Sequence, residues 1–422
     1  VCEITRRKLL EECVHPRLEE IEDQSLVGVT AWVRDEWNHL VQEFGNESSL
    51  VSALEGAPCL LDRTGSRKSP LELYHPHSWR LITDLLGQEA RFPHQSWYEN
   101  EPQLWQRLFR HLGLATAPRP QDLVDRIEGI IARLEQGATT VDNVESTLTE
   151  ILEYVLEQWG SLAYQSVSST IHGECEFYEF LADTQWIVPG RIESRFFDPC
   201  SIEDRLYAPD ELISATQAPR CGSVRCVFPR SLREFPNEVR GRLRVDRIPS
   251  PSELCSHLHH VVSRYGERVV EEADLNDLGR LVTHVYRGLG EHRQAASESA
   301  DLGAIDKLEA ICAPLSDLPC LIIPSERRFR RPRDVYRTRH SRLIPLKSSF
   351  RSEEMLVESG VGLLGRRDDP TIEDLAQSLV DLGSQDRPLE PGELDAVIAA
   401  LRLIRSMGEE RGVPRTELGV RV

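Results

Sequence analysis

Two short signatures recur three times along this chain in the same order, and this recurrence constrains its fold more than any other feature. The first signature is an apolar stretch, then a polar turn, then Pro-x-[Asp/Glu]-[Leu/Val]. Its prolines are Pro70, Pro209 and Pro332, so the copies follow one another at intervals of about 120–140 residues. The apolar stretch before each turn predicts a short strand.

The second signature reads Pro-x-x-x-[Asp/Glu]-Leu and begins at Pro118, Pro249 and Pro370. Proline near the first helical turn and a carboxylate near the positive end of the helix dipole are typical of a helix start. Apolar residues such as Leu123 and Ile127 then recur at helical spacing. Each copy of the signature therefore predicts an amphipathic helix.

A further amphipathic helix is predicted after each of these, over residues 146–159, 276–289 and 392–407. Residues 29–44 have the pattern of the same terminal helix in a preceding, truncated copy. These elements predict the following organisation: terminal helices of a truncated repeat over 1–48, repeat 1 over 49–168, repeat 2 over 169–308 and repeat 3 over 309–422.

The predicted fold class is α+β, with tandem repeats that each combine a small strand-containing unit and a helical pair. Such repeats are expected to stack into an elongated array. The alternative is one compact α+β domain with accidental pseudo-repeats. Two independent signatures that recur in one order favour the repeats.

Charge argues against some classes of function. The formal net charge of the 422 residues is −19, and a general nucleic-acid surface needs clustered positive charge instead. Four of the 50 basic residues are lysines, so few amines are available for Schiff-base or general-base chemistry.

The chain shows no membrane or export signal. No apolar run approaches the ~20 residues that a membrane span needs, and no N-terminal stretch has the pattern of a secretory signal. The ten cysteines are scattered, and some, such as Cys59 and Cys320, stand in apolar contexts typical of buried thiols. We therefore predict a reducing cytoplasm as the location. Because the chain begins at Val1, we expect it to be part of a longer protein.

Gly360, Gly362 and Gly365 match the G-x-G-x-x-G pattern of dinucleotide-binding loops. Such a loop needs a helix directly after it, so that backbone amides face the pyrophosphate. Here the next predicted helix begins only near Pro370. We interpret the glycines as a loop at the end of a structural element and predict no nucleotide site.

Four residues could be assembled into a zinc site: Cys221, Cys226, Cys255 and His259. Zinc ligands usually come in tight pairs, and only the first two are closely spaced. Burial within a predicted helix explains Cys255, and His257, His259 and His260 are interpreted as an exposed or variable face. We predict no metal ligand in the chain.

The most unusual local composition is a run of eight arginines: Arg327, Arg328, Arg330, Arg331, Arg333, Arg337, Arg339 and Arg342. Guanidinium groups bind phosphates and carboxylates in a bidentate way. This arginine run is therefore a candidate site for an anionic partner. The alternative, which the acidity of the chain favours, is internal pairing with carboxylates of adjacent repeats.

Known catalytic motifs are otherwise missing. The sequence contains neither G-x-x-x-x-G-K-[ST] nor H-E-x-x-H nor G-x-S-x-G. We predict no catalytic residue, no cofactor-binding residue and no cofactor.

The recurrent units resemble a known family. The segments APCLLDRTGSRKSPLELYHP and LFRHLGLATAPRPQDLVDRIEGIIARL are similar to the repeat regions of sacsin-like proteins. The same order of apolar stretch, polar turn and proline–acid pattern recurs at LPCLIIPSERRFRRPRDVY and more loosely at WIVPGRIESRFFDPCSIEDRLYAPDELI. The resemblance covers roughly residues 50–410 and implies a chaperone-like scaffold.

In that family the repeats often include or follow a histidine-kinase-type ATPase. This sequence contains no counterpart of that ATPase, because no Asn-bearing helix is followed by Asp-x-Gly-x-Gly. No functional residue is carried over, and an ATPase is expected only elsewhere in the parent protein.

Together these features predict a non-catalytic, protein-binding scaffold or chaperone-like region of a larger sacsin-like protein. Its expected partners are protein clients or neighbouring domains of the parent, with neither a membrane nor nucleic acid among them. The alternative is the regulatory or recognition region of an ATP-dependent or nuclease defence enzyme, which would bind an anionic partner through Arg327–Arg342.

Overall fold

The computed structural model describes residues 5–18, 20–87, 91–95, 97, 101–162, 173–229, 237–245, 247–299, 302–337, 343–344, 347–350, 352–385 and 387–410. Contacts between backbone positions divide the chain into two compact units, Val1–Val188 and Pro189–Val422. The described residues are mostly helical, with a few strands in small sheets, which is loosely the predicted α+β class. The repeat boundaries remain a prediction.

The first compact unit begins with a helical turn at Arg6–Lys8 that continues as π-helix over Leu9–Val14. Its longer helices are α1 Asp23–Asp35, α2 Trp37–Phe44, α3 Glu47–Leu54, α4 Trp79–Leu86, α5 Pro102–His111, α6 Pro120–Glu135, α7 Val141–Glu157 and α8 Gly173–Asp183. Two short antiparallel strands lie between α3 and α4: β1 Leu60–Leu61 and β2 Arg67–Lys68.

Local sequence explains where these helices begin and end. α2 ends at Phe44, and the next residue, Gly45, has a φ of 87° that suits glycine because glycine has no Cβ. Asn46 then caps α3, since its side chain accepts a hydrogen bond of 2.8 Å from the Ser49 amide. The apolar faces of these helices bury Leu40 and Leu50 completely in the core of this unit. Full burial of such a side chain stabilises the fold by about 1.5–3 kcal/mol.

The second compact unit is built from these helices: α9 Ala218–Cys221, α10 Asn237–Arg242, α11 Pro251–Tyr265, α12 Glu272–Glu298, α13 Leu302–Cys312, α14 Met355–Leu363, α15 Ile372–Gly383 and α16 Pro391–Glu410. Its strands are β3 Leu321–Ile323, β4 Arg328–Arg330, β5 Val335–Arg337 and β6 Ser348–Phe350. β3 and β4 pair antiparallel, and β5 and β6 pair parallel.

The predicted strands form in two of the three copies. β1 and β3 lie where the apolar stretches before Pro70 and Pro332 predicted them. In the middle copy the backbone makes isolated bridges instead, from Gly190 and Ile213 to Val227. Pro189 has no N–H to donate to a ladder, which limits pairing at this point.

The predicted helices are also present. α6, α11 and α15 begin within the three copies of the second signature. Of the three helices predicted after them, the second and third lie wholly within α12 and α16, and α7 covers the first, over residues 146–159, as far as Glu157. Residues 29–44 form parts of two helices, α1 and α2, because the helical backbone is interrupted at Glu36.

Each copy of the first signature forms a single turn of 3-10 helix, over Pro70–Glu72, Pro209–Glu211 and Pro332–Asp334. The acidic residue of the signature closes the turn in the first two copies. The Glu72 carboxylate accepts a 2.9 Å hydrogen bond from the Ser69 amide, and Glu211 accepts one of 2.8 Å from the Ala208 amide. Proline fixes its own φ, and the carboxylate accepts a hydrogen bond from the amide of the residue before the proline. This short pattern therefore specifies a turn of the chain, which we call a corner.

Candidate functional site: the cleft beside Tyr74

The two signatures meet at Tyr74. This residue directly follows the first corner, and its hydroxyl donates a hydrogen bond to the carboxylate of Asp122, the acid of the second signature. Arg119 completes the group: its Nη1 lies 3.4 Å from Asp122 Oδ2, and its guanidinium carbon lies 4.8 Å from the centre of the Tyr74 ring. Burial and the adjacent carboxylate raise the pKa of Tyr74, so the phenol stays protonated and remains a donor.

The same chemistry occurs at Tyr336, which follows the third corner. Arg367 Nη1 donates to Asp374 at 2.6 Å and to the Tyr336 hydroxyl at 3.2 Å. Burial and the hydrogen bond to Asp374 raise the pKa of Tyr336 to about 12. Burial raises the pKa of Asp374, but hydrogen bonds from the Thr371 amide and Arg367 outweigh it and leave this pKa below its usual range.

The middle copy keeps only the pairing of the acid with an arginine. Ile213 stands where the other copies have tyrosine, and it has no hydroxyl to donate. Arg225 Nε donates to the Glu253 carboxylate at 2.6 Å instead. The tyrosine contact is thus specific to the first and third copies.

A cleft of about 420 Å³ opens beside Tyr74. Both signatures contribute to its lining, which consists of Leu71, Glu72, Tyr74, Leu86, Arg91, Arg119, Asp122 and Asp125. Leu71 is 53 % exposed there and offers an apolar contact at the edge of the cleft. The cleft therefore combines an exposed aliphatic side chain with charged groups of both signs.

Carboxylates outnumber cations in this cleft by three to two. Burial raises the pKa of Glu72, but hydrogen bonds from the Ser69 amide and Lys68 more than offset it, so the pKa lies below its usual range. Lys68 and Ser69 already donate to both oxygens of Glu72. The described donors reach only Oδ2 of Asp122 and only Oδ1 of Asp125, so each of these two carboxylates keeps an oxygen for a further donor. Such a site can bind an amine or guanidinium next to an aliphatic group.

The arginine run lies mainly along β4, β5 and the turns beside them. Five of its members pair with carboxylates of the same compact unit: Arg327 with Glu272 at 3.5 Å, Arg330 with Glu326 at 2.5 Å, Arg331 with Glu267 at 3.5 Å, Arg333 with Asp317, and Arg337 with Asp368 at 3.0 Å. Arg328 is half-buried in β4, and Arg339 and Arg342 lie outside the described residues. The positive charges of these five guanidinium groups are therefore opposed by carboxylates within the unit.

The interpretation of the G-x-G-x-x-G segment as a loop is wrong for its first two glycines. Gly360 and Gly362 lie in α14, and only Gly365, with a φ of 90°, lies beyond the helix end. Gly360 packs directly on the backbone of α12, since a Cβ built on it would lie 1.9 Å from the Tyr286 carbonyl oxygen. Glycine is needed here for the close approach of two helices.

The candidate zinc ligands are dispersed. Cys255 Sγ lies 3.8 Å from Cys312 Sγ in the core, whereas Cys226 lines a different cavity and His259 is exposed. Cys221 is completely buried in a small apolar cluster. Among the described residues, no group of three His, Cys, Asp or Glu side chains is arranged to hold a metal ion.

The exposed-face interpretation is wrong for His257, which is completely buried. Its Nδ1 lies 2.8 Å from Ser223 Oγ and its Nε2 lies 3.1 Å from the Pro219 carbonyl oxygen. Burial lowers its pKa to about 4. His257 is therefore neutral at pH 7 and joins α11 to the end of α9.

Sequence reasoning also missed a pair of thiols in a second cavity. Cys200 and Cys226 line a space of about 340 Å³ and both point at the Ser201 carbonyl oxygen, at 3.7 and 4.0 Å. A hydrogen bond from the Cys200 thiol, with further help from Tyr207 and Arg205, lowers the pKa of Cys226 to about 7. The spacing of these cysteines in the sequence gives no signal of the contact.

No helix in the described part of the chain is both long and apolar enough to cross a membrane. Comparison with known proteins finds no matching family model, no matching curated protein and no matching solved structure.

Proposed function

We propose that this chain is a non-catalytic scaffold, made of tandem repeats, that binds segments of other proteins in a chaperone-like way. The observation that carries the proposal is the cleft beside Tyr74, because both recurrent signatures build it. We further propose that the parent is a sacsin-like protein whose clients or other domains supply the bound segments. A reducing cytoplasm fits the absence of any disulfide among the described cysteines.

Backbone geometry supports the repeats. The chain adopts a left-handed conformation five residues before each proline of the second signature, at Gly113, Arg244 and Gly365, with φ of 70°, 54° and 90°. A non-glycine residue in this conformation costs roughly 1–2 kcal/mol. Retention of the conformation at Arg244, despite that cost, favours a common backbone in all three copies.

The lining of the cleft indicates the chemistry of the bound segment. Glu72, Asp122 and Asp125 attract a lysine or arginine side chain, and Leu71 offers an apolar contact for an aliphatic neighbour. The net charge of −19 steers cationic segments toward the chain at low ionic strength. The preferred ligand is therefore an extended segment that alternates basic and aliphatic residues.

Fluorescence anisotropy with a labelled decapeptide of alternating lysine and leucine tests this site. Asp125→Asn and Leu71→Ser should each weaken binding at least threefold, because they remove a charge and the apolar contact. Glu128→Gln is the matched control: this exposed residue lies on α6 outside the cleft and should leave binding unchanged. Equal affinity for an alternating glutamate–leucine peptide, or equal weakening by all three variants, would contradict the proposal.

Chaperone-like action is tested separately by light scattering of a thermally unfolded client protein. The chain should suppress aggregation at a stoichiometric ratio without ATP, and Leu71→Ser should reduce the effect. If a fivefold excess of the chain leaves the light scattering unchanged, the proposed chaperone-like action is contradicted, but the proposed peptide binding is not.

A regulatory region that binds an anionic partner through the arginine run is the weaker candidate. Five of the described arginines already have carboxylate partners, so a polyanion would have to displace them. Exposed ion pairs are worth only about 0–1 kcal/mol each, which makes displacement feasible. Salt-sensitive binding of inorganic polyphosphate, lost on combined Arg327→Ala and Arg331→Ala substitution, would favour this candidate over the scaffold.

A further inference from the structure

Helix α16 exposes large apolar side chains to solvent. Leu394 is 52 % exposed and Ile398, one helical turn further on, is 41 % exposed. Leu401 continues the same line and is half-buried. We call Leu394, Ile398 and Leu401 the α16 stripe. Exposed aliphatic residues at helical spacing are typical of a surface that another helix covers.

The buried faces of α7, α12 and α16 allow a comparison by position. Each carries three buried residues at intervals of four: Val144, Leu148 and Leu152 on α7, Leu278, Val282 and Tyr286 on α12, and Ala396, Ala400 and Ile404 on α16. The three helices can therefore be aligned on the residues that face their own cores.

The residues two positions before the first two members of each set face solvent in all three helices, but their chemistry differs. α7 has Asp142 and Ser146 there, and α12 has Asn276 and Arg280. α16 instead has Leu394 and Ile398, the first two members of the α16 stripe. At these positions two of the helices thus carry polar residues suited to water, and the third carries aliphatic residues whose exposure to water is unfavourable.

Charges beside the α16 stripe point to the partner. Asp395 and Arg402 are both exposed, and neither has an ion-pair partner among the residues that the structure describes. They are seven residues apart, so they lie on one side of the helix, nearly symmetric about Ile398. When two such helices pack antiparallel about a two-fold axis near Ile398, Asp395 of each faces Arg402 of the other.

We propose that the α16 stripe is a self-association surface, on which a second copy of this chain packs its own α16 antiparallel. Leu394, Ile398 and Leu401 interdigitate with their counterparts, and two Asp395–Arg402 ion pairs flank them. An isologous contact of this kind satisfies both observations at once, because each copy offers the same apolar stripe and both members of the charge pair. The inference concerns a surface other than the cleft beside Tyr74 and does not depend on peptide binding there.

Sedimentation equilibrium of the full chain tests the association. We expect mass to rise with concentration from 48.0 kDa toward twice that value. Ile398→Glu should weaken dimerisation at least tenfold, and Glu128→Gln on α6 should not change it. A monomer at every concentration, or a dimer that Ile398→Glu leaves intact, would overturn the proposal.

Charge reversal tests the antiparallel geometry and separates it from misfolding. Asp395→Arg alone places two arginines opposite each other at both ends of the interface, and Arg402→Asp alone places two aspartates there, so each single variant should be monomeric with an unchanged circular dichroism spectrum. A mixture of the two single variants should form a heterodimer, because each end then regains one positive and one negative charge. Failure of the mixture to associate, with both variants folded, would exclude the proposed pairing.

Discussion

Gly290 of α12 and Gly360 of α14 lie at the point where the two helices come closest. A Cβ built on Gly290 would lie 1.9 Å from the Leu356 carbonyl oxygen, and one on Gly360 would lie 1.9 Å from that of Tyr286. Both distances are far below van der Waals contact, and the obstructing atoms belong to backbone. Two helices are therefore packed backbone to backbone at this crossing.

Gly360→Ala should destabilise the chain by about 3 kcal/mol, because the helices must move apart and lose their packed interface. Urea unfolding followed by circular dichroism measures the change. Gly279→Ala, also in α12, is the matched control: no atom lies within 4 Å of its Cβ position, so helix propensity should stabilise the chain by about 0.5–1 kcal/mol. Equal effects of the two substitutions would contradict the close crossing.

Tyr74→Phe removes the hydroxyl that joins the two signatures, and the chain should lose about 1–2 kcal/mol of unfolding free energy. Asp122 keeps its contact with Arg119, which limits the loss. The matched control is Tyr154→Phe on α7, a half-buried tyrosine without a hydrogen-bond partner among the described residues. Similar loss in both variants would mean that the Tyr74–Asp122 contact contributes nothing specific.

Burial of neutral His257 makes stability depend on pH. Its pKa is about 4 in the fold and about 6.5 when unfolded, so the unfolded chain takes up the proton first. The stabilisation is complete above pH 6.5 and is lost as pH falls toward 4, with about 2 kcal/mol gone at pH 5. Unfolding free energies of wild type and His257→Gln at pH 7.5, 6 and 5 should converge by that amount. Exposed His259→Gln should follow wild type at every pH, and parallel curves for His257→Gln would refute the assignment.

Cys226 should react with iodoacetamide with a midpoint near pH 7, because its pKa is lowered to about 7 and the thiolate is the nucleophile. Its reactivity should fall below that pH as the thiolate is protonated. Peptide mapping by mass spectrometry follows each thiol separately, and Cys59, whose pKa burial raises to about 12, should remain unmodified in the folded chain. Cys200→Ala should move the Cys226 midpoint upward, toward the value of about 8.5 for an ordinary cysteine; an unshifted midpoint would exclude the thiol contact as the cause.

Much of the secondary structure follows from the sequence because its causes are local. Proline at Pro120 and the carboxylate of Asp122 act within one helical turn, so the start of α6 can be read directly. The corner at Pro70 is equally local, since Glu72 caps the turn that it belongs to. These interactions need no partner from elsewhere in the chain.

The contacts that the sequence did not reveal join distant residues. His257 has the polarity of a surface residue, but Ser223 and Pro219 come from another segment and satisfy both ring nitrogens. Likewise, the proximity of Cys200 and Cys226 depends on how two irregular segments run past each other. Neither relationship leaves a periodic pattern, so neither was predicted.

The glycine pattern at Gly360 shows how one motif can serve two purposes. In a dinucleotide-binding loop, glycine lets backbone approach a phosphate, and here it lets backbone approach another helix. The physical requirement, absence of a Cβ, is the same in both. Only the neighbouring structure distinguishes them.

The crossing of α12 and α14 has an evolutionary consequence. In an ordinary core, substitution by a larger side chain can be compensated when a neighbouring residue is replaced by a smaller one. A backbone carbonyl group cannot be made smaller by any substitution. Mutational drift at Gly290 and Gly360 therefore has no compensating partner, and purifying selection should act on both positions together. In divergent descendants of this chain, paired glycines at these two positions should outlast the proline signatures themselves.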